Sequence, residues 1–424
     1  MKNKFPDNFL WGAATSSHQV EGDNTLNDWW EWEQAGNTEP SGKACDHYNR
    51  FKEDFRIAKD LGHNAHRLSL EWSRLEKEEG VWDASEWDHY KAIIDELKSL
   101  EIEPILTLNH FTLPSWLSHK GGWQNKDIIR LFSRFAIKAV KELGEKVQYW
   151  IPINEPYIAA FLSYFKGEWP PCEKNFDSAL LAAKNMLEAH VEAYSLMHEA
   201  ARSSSSIMKP KIGVAKAVTA FHPCSKYSLS DRVVTHLRNM FYNHSFIDSA
   251  LKGKTDLFPF VKGKELPSSK ALDFIGLNYY FRQFVHHEKP FKKHPIGEIC
   301  DYGHHNIGKI NNMGWEMYPR GLYEVVRSFS RYRLPIMITE NGTSVDDDNM
   351  RKNFIKGHLT QLLKAINEGS PVIGYLHWSL MDNFEWAHGY KQKFGLVEVD
   401  FNTQKRTVRE SARYYSSIIT SGTI

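Results

Sequence analysis

Eight short apolar runs alternate with longer amphipathic stretches, and this alternation points to a single (β/α)₈ barrel of the TIM type. Three observations carry that expectation. The alternation fills a chain of 424 residues, a length that one such barrel can take up as one catalytic domain, here residues 1–424. No internal repeat or low-complexity linker divides it, and Ser203-Ser204-Ser205-Ser206 is polar but too short to separate domains. The doubly wound alternative needs a glycine-rich phosphate loop after an early strand, and none is present.

Taken in order, residues 9–14 read as the first strand. A helix follows over 46–61, with Phe51, Phe55, Ala58 and Leu61 at helical spacing and Gly62 just past its end. Strand two is 65–70. Residues 83–100, with an acidic start and Ile93, Ile94 and Leu97 on one side, form the next helix. Strand three (104–108) leads to a helix over 127–143, and strand four (147–153) to a long Ala- and Leu-rich helix over 178–201. Strand five (211–215) precedes a helix at 230–251. Strand six (272–277) precedes one at 319–332, which has a proline in its first turn. Strand seven lies within 334–342, its helix at 349–366, strand eight at 372–377, and a last helix at 406–418.

Composition narrows the function. Hydrophobic residues make up 42% and charged residues 25% of the chain, ordinary for a globular protein with a large core. A formal net charge of +1 gives no general pull toward nucleic acid or anionic membrane. No apolar run approaches a membrane span. The N-terminus, Met1-Lys2-Asn3-Lys4-Phe5-Pro6, leads into fold-like sequence without an apolar signal core, so a cytoplasmic location is expected. Cys45, Cys172, Cys224 and Cys300 are far apart and form no Cys-x-x-Cys pair, which argues against a zinc site or a disulfide framework and fits a reducing compartment. The unusual number is 14 Trp. Most belong in the core, yet flat apolar indole faces also suit stacking on the C–H faces of a sugar ring.

A barrel places its chemistry at the C-terminal ends of its strands. Those ends carry Ser17-His18-Gln19, Arg67, Asn109-His110, Asn154-Glu155, Asn278-Tyr279-Tyr280, Glu340 and Trp378. Glu340 ends the Ile-rich run between Pro335 and Gly342. Burying an unpaired charge there would cost several kcal/mol, and taken alone an ion pair or a capped strand end explains it. Glu155 changes that. The ends of strands four and seven can face each other across a barrel mouth, and two facing carboxyl groups are what glycoside hydrolysis needs.

At these residues the chain resembles the retaining β-glycosidases of glycoside hydrolase family 1, the β-glucosidase family. The resemblance rests on Phe9-Leu10-Trp11-Gly12-Ala13-Ala14-Thr15-Ser16-Ser17-His18-Gln19-Val20-Glu21-Gly22, Asn154-Glu155-Pro156, Ile338-Thr339-Glu340-Asn341-Gly342 and Trp378-Ser379-Leu380-Met381-Asp382-Asn383-Phe384-Glu385-Trp386, and it covers essentially the whole chain. It implies that Glu155 is the acid/base and Glu340 the nucleophile, with a covalent glycosyl-enzyme between two displacements; retention needs the carboxyl groups about 5–5.5 Å apart. Arg67 and Tyr280 match positions that contact the nucleophile, and a cation and a phenol would keep it ionised. Asn154 matches the residue that bonds the sugar 2-OH, and Asn278 a support in the same network. Gln19, His110, Glu385 and Trp386 match the set that grips the glycone, with Trp378 as a stacking floor.

The same resemblance bears on the substrate. The phospho-β-glucosidase branch carries Ser where this chain has Glu385, and a Lys and Tyr where it has Gln392 and Phe394. A carboxylate there would repel a 6-phosphate, so an unphosphorylated glycone is implied. Glu155 argues against the myrosinase branch, which has Gln at the acid position. Departures fall on the aglycone side: Phe111-Thr112 stand where Trp-Asp is common, and Gly167-Glu168-Trp169-Pro170-Pro171 replaces an Ala-Pro-Gly ending. Trp315 matches an aglycone platform, with Trp169 and Phe394 as further candidates on that side.

The expected function is an exo-acting retaining β-glucosidase for unphosphorylated β-glucosides and short β-gluco-oligosaccharides, with β-galactosides and β-fucosides within reach. It needs no cofactor and no metal, its partner is a small-molecule glycoside, and its oligomeric state is left open. Three other readings compete. A phospho-β-glucosidase or a catalytically weak sugar-binding family member is the alternative within the family. Lys216, near the end of strand five, suggests a Schiff-base barrel. His286, His287, His294, Cys300, His304 and His305 invite a metal, but their spacings fit no standard ligand set, and a solvated rim loop is expected instead.

Overall fold

The computed structural model describes residues 4–257, 259–261, 263–289 and 295–424; His294, named above with the other histidines, lies outside them, as do Met1, Lys2 and Asn3. Eight parallel strands form the barrel: β1 (Leu10–Ala14), β2 (Ala65–Ser69), β3 (Glu103–Asn109), β4 (Tyr149–Ile153), β5 (Lys211–Pro223), β6 (Phe274–His286), β7 (Ile336–Asn341) and β8 (Val372–Trp378). Their hydrogen-bonded order runs β7-β8-β1-β2-β3-β4-β5-β6, and pairing of β6 with β7 closes the ring. Strands β2, β4 and β7 are buried along their whole length, as expected where a parallel sheet is covered on both faces.

Inside the ring, Ala65, Ile105, Tyr149, Ile151, Ala215, Phe274, Met337 and Leu376 pack together, with Leu10 and Ile373 partly buried against them. These ten residues come from all eight strands. They plug the barrel, so the chemistry is confined to the mouth above them. Outside, the helices present apolar stripes to the strands: Leu131, Phe132, Phe135, Ala136, Ala139, Val140 and Leu143 of Ile128–Leu143 are buried at helical spacing. Polar side chains fix several helix starts. Asp83 accepts from the Ser85 and Glu86 amides, Asn175 from those of Asp177 and Ser178, and Asp347 from that of Asn349.

Three expectations need correction. Strands β5 and β6 run well past the predicted 211–215 and 272–277, pairing as a ribbon out to Pro223 and Val285. The helix expected at 230–251 is interrupted by a π turn at Met240–His244 between Leu229–Asn239 and Ser245–Lys252. That turn aims Asn243 at β5, where its side chain accepts from the Thr219 amide and donates to the Thr219 carbonyl (3.1 and 2.9 Å). The last helix spans Glu410–Ser421, not 406–418. Lys405–Val408 instead pairs antiparallel with Val397–Asp400, held extended as Arg406 reaches Asp54 (2.8 Å) and Arg409 reaches Asp382 (2.7 Å).

Candidate active site

Glu340 is the last residue but one of β7, in register with Asn278 of β6. Two residues on, Gly342 lies so close to β8 that a Cβ would sit 1.8 Å from the Trp378 carbonyl oxygen; only glycine allows the two strand ends to converge there. Glu155 follows β4 with a left-handed backbone (φ 44°), an uncommon conformation for a side chain of its size. Its amide donates to the Ala215 carbonyl at 2.7 Å, and Pro156 starts a short helix immediately afterwards. A residue held in this region by its surroundings is a functional candidate.

One connected network joins the two carboxyl groups. Arg67, fully buried, donates from Nη1 to Glu340 Oε1 (2.5 Å), from Nη2 to Asn154 Oδ1 (2.6 Å) and from Nε to Thr107 Oγ1 (2.9 Å). Tyr280 donates its hydroxyl to the other Glu340 oxygen at 2.5 Å. Asn278 donates to Glu155 Oε1 (2.8 Å) and Asn154 Oδ1 (3.2 Å), while Thr339 fixes the Asn278 oxygen (2.6 Å). Thr107 gives no signal in the sequence and Thr339 appears there only within the Glu340 motif, without a role, because a threonine inside a strand looks like ordinary strand composition.

Electrostatics sort the carboxyl groups. Burial pushes Glu155 up to about 8, and the Glu340 charge adds to the push. Glu385 is driven to about 8 by the same two causes in the same order. Burial lifts Glu340 too, but the Arg67 guanidinium, the Tyr280 hydroxyl and Asn278 all oppose it. The Arg67 charge acts on Glu340 and, more weakly, on Glu155, and of the three buried carboxyl groups only Glu340 is hydrogen-bonded to it. The guanidinium and the phenol thus favour the charged form of Glu340 against its burial, while Glu155 and Glu385, without such a bond, hold their protons at neutral pH. His110 stays neutral because it is buried and near the Arg67 charge.

The network opens into a cleft of about 460 Å³, a size suited to a small ligand. Of the sequence-predicted residues, His110, Asn154, Glu155, Trp169, Asn278, Tyr280, Trp315, Glu340, Trp378, Glu385, Trp386 and Phe394 all line it. Arg67 and Gln19 stand behind the wall and act on residues in it. Gln19 Nε2 donates to Asn383 Oδ1 (3.1 Å), the Phe384 carbonyl (2.9 Å) and, more weakly, Glu385 Oε2 (3.4 Å), with Ser16 donating to its oxygen (2.7 Å). His110 lies nearly parallel to Trp378 and Trp386, 5.8 and 6.1 Å between centroids. Lys216 is not among the lining residues. It is buried between the Tyr157 and Tyr242 rings (4.7 and 4.4 Å) and donates to the Ala217 carbonyl (2.7 Å), so a carbonyl substrate in the cleft does not meet it.

The family model for glycosyl hydrolase family 1 matches residues 1–423. The chain belongs to that family. This glycosidase is 33% identical to the 1,4-beta-D-glucan glucohydrolase of Thermotoga neapolitana over 447 aligned residues, 98% of either chain. Among solved structures, the beta-glycosidase from Pyrococcus horikoshii superposes with a TM-score of 0.92 at 38% identity, covering all of this chain and 96% of that one. The beta-glucosidase from Thermotoga maritima in complex with glucoimidazole gives 0.90 at 33% identity over the full length of both. No helix among the described residues of this family 1 enzyme is long and apolar enough to cross a membrane.

Where the sequence departs from the family pattern, the departures take physical form. Phe111 has a left-handed backbone (φ 78°) and packs against Trp169 and Trp386 at 4.9 and 5.2 Å. Trp169 also meets Trp29 edge-on at 5.2 Å, so it is packed and cleft-lining at once. Trp315 lies against Phe281 (4.9 Å) and Tyr280 (5.5 Å), with Phe394 at 6.3 Å. Met313, Trp32 and His388 join this wall without any signal in the sequence, since nothing in the local pattern of each says that it faces the cleft.

Proposed function

We propose that this enzyme is a retaining, exo-acting β-glucosidase for unphosphorylated β-glucosides and short β-gluco-oligosaccharides. The observation that carries the reading is the asymmetry of the two carboxyl groups: Glu340 is held by Arg67 and Tyr280, while Glu155, across the same network, keeps its proton to about pH 8. Glu340 attacks the anomeric carbon as Glu155 gives its proton to the departing oxygen, leaving a glycosyl ester on Glu340. Esterification removes the charge that raises Glu155, which then takes a proton from water as that water attacks the same carbon and frees Glu340. Asn154, fixed by Arg67 and Asn278, faces the sugar 2-OH.

Gln19, His110, Glu385 and Trp386 hold the glycone above Trp378. A 6-phosphate finds little to bind here. Glu385 is largely protonated at neutral pH and repels little, but Gln392 is bound by Ser344 (2.8 Å) and Phe394 packs against Trp378. Neither residue offers a phosphate a cation. Glucoimidazole and deoxynojirimycin bound to the Thermotoga maritima enzyme support a glucose-shaped glycone site here.

Azide tests the assignment. Glu340→Gly should lose turnover of aryl β-glucosides and, given azide, yield the α-glucosyl azide; Glu155→Ala should yield the β-azide instead. Undiminished turnover by Glu340→Gly sinks the proposal. A panel of nitrophenyl β-glucoside, β-galactoside, β-fucoside and 6-phospho-β-glucoside sets the glycone. Preference for the phosphorylated sugar overturns that part alone, and inactivity on every member restores the sugar-binding alternative.

A further inference from the structure

The ribbon formed by the outer halves of β5 and β6 ends in a cluster of cysteines and histidines that no sequence spacing marks. Cys224 follows β5 directly, and Cys300 lies on the short strand Glu298–Cys300, which pairs antiparallel with the end of β6. The two are 76 residues apart in sequence and belong to no spacing motif, so in the sequence each stands isolated. In space Cys224 Sγ is 3.4 Å from Cys300 Sγ and 3.1 Å from His304 Nε2; Cys300 Sγ is 3.4 Å from both His304 Nε2 and His305 Nε2. All four ligand atoms fall within 4.8 Å of one another.

We propose that Cys224, Cys300, His304 and His305 form a structural zinc site that fastens the loop carrying Trp315 to the β5–β6 ribbon. Zinc–sulfur bonds of about 2.3 Å and zinc–nitrogen bonds of about 2.0–2.1 Å in a tetrahedron put the ligand atoms roughly 3.3–3.8 Å apart. The four contacts above, 3.1–3.4 Å, lie within a few tenths of an ångström of that range, and the remaining pairs, within 4.8 Å, need only a small inward shift of a side chain to reach it. Two thiolates with two imidazoles is a zinc donor set, and four protein ligands close the coordination sphere, the mark of a structural rather than catalytic site. The surroundings orient the ligands. His304 turns Nδ1 toward the Asp301 carboxylate at 3.8 Å, so its Nε2 faces the thiols. His305 stacks flat on Phe284, 3.7 Å between centroids and 4° between planes.

Binding replaces two S–H bonds by two zinc–sulfur bonds and releases both protons to solvent, leaving the site neutral overall. The anchor reaches the cleft through few links. Arg282 packs on Phe284 (4.6 Å) and forms a two-pronged pair with Glu316 (2.6 and 2.7 Å), the neighbour of Trp315. Tyr302, between Cys300 and His304, donates to the Arg282 carbonyl at 2.5 Å. A Cys224–Cys300 disulfide is the competing chemistry for such close thiols, but it gives the two imidazoles nothing to do.

The test uses untagged full-length enzyme, dialysed with zinc and then freed of loosely held metal. Elemental analysis should find about one zinc per chain, and Cys224→Ser and His304→Ala should each lower this at least tenfold. Cobalt put in its place should show the sulfur-to-cobalt charge-transfer absorption of a thiolate site in wild type and lose it in Cys224→Ser. If the variants fold poorly, thiol counting and intact mass on wild type decide. Metal-free protein with two thiols missing and a mass two hydrogens short is a disulfide and overturns the proposal. Metal-free protein with four reactive thiols overturns it as well, as does zinc retained equally by the Cys224→Ser, Cys300→Ser double variant. Loss of zinc with turnover of a small aryl glucoside intact separates this site from the failure of the catalytic reading.

Discussion

The floor of the cleft and its rim are built by opposite means. On the floor, Arg67, Asn154, Asn278, Tyr280 and Glu340 stand on or beside barrel strands and are locked by charged or short hydrogen bonds. At the rim, Trp169, Trp315, Phe111 and Phe394 come from loops and touch one another through ring faces and edges. Strand ends place polar atoms to a fraction of an ångström, which charge-sensitive chemistry needs. Aromatic loops provide apolar area, which on the proposed reading tolerates variation in the leaving group. The difference implies that floor substitutions act on kcat and rim substitutions on KM.

The largest effect expected is for Arg67→Met. Removing one partner of a buried ion pair costs about 3–5 kcal/mol, and the site escapes part of that cost by protonating Glu340. On the proposed mechanism a protonated Glu340 cannot attack, so kcat on an aryl β-glucoside should drop roughly 10²–10⁴-fold, measured at matched fold content by circular dichroism. Tyr280→Phe removes a single hydrogen bond to a charged oxygen, worth about 1.5–3 kcal/mol, and should lower kcat by roughly 10- to 150-fold. If Tyr280→Phe acts mainly on KM instead, the division between floor and rim fails at its centre.

pH sharpens the comparison next. Glu155 carries its proton up to about 8, so the proposed acid is intact at neutral pH and kcat/KM should fall as pH rises past 8. In Glu340→Gln the charge that helps raise Glu155 is gone, and its titration, followed by carboxyl NMR, should move below 8. Stability carries the same signature. Glu155 and Glu385 keep protons in the folded chain that the unfolded chain releases near 4.5. Their contribution to stability is full below that value and lost as pH rises toward 8. Glu385→Gln should therefore flatten the decline of Tm between pH 5 and pH 8, and an unchanged slope would count against its burial as an acid.

Much of the floor was legible from sequence because its residues directly follow apolar runs that can only be strands, so position in the barrel followed from order in the chain. Gln19 and Arg67 were legible as members of the site but not as residues standing behind its wall, since depth is set by pairing partners 40 to 366 residues away. The Lys405–Val408 strand was hidden by ion pairs to Asp54 and Asp382, contacts that have no local pattern. The Cys224–Cys300 meeting was invisible for the same reason: it depends on β5 and β6 running eight to nine residues beyond the segments that periodicity marks. What pattern encodes is local, and what failed to show was held by long-range pairs.

The smallest effect separates the two rim tryptophans. Trp315 rests on Phe281 and Tyr280 with one side toward the cleft, whereas Trp169 is wedged among Trp29, Phe111 and Trp386. Losing a stacking face costs about 0.5–1.5 kcal/mol. Trp315→Ala should raise KM for glucosides with a large apolar aglycone about 2- to 13-fold while leaving kcat and small-aglycone KM nearly unchanged. Trp169→Ala should cost stability as well, because an aromatic removed from packing leaves a cavity, and its Tm should fall more than that of Trp315→Ala. Equal Tm losses with equal KM changes would mean that both rings serve packing alone, and that the aglycone is gripped elsewhere on the rim.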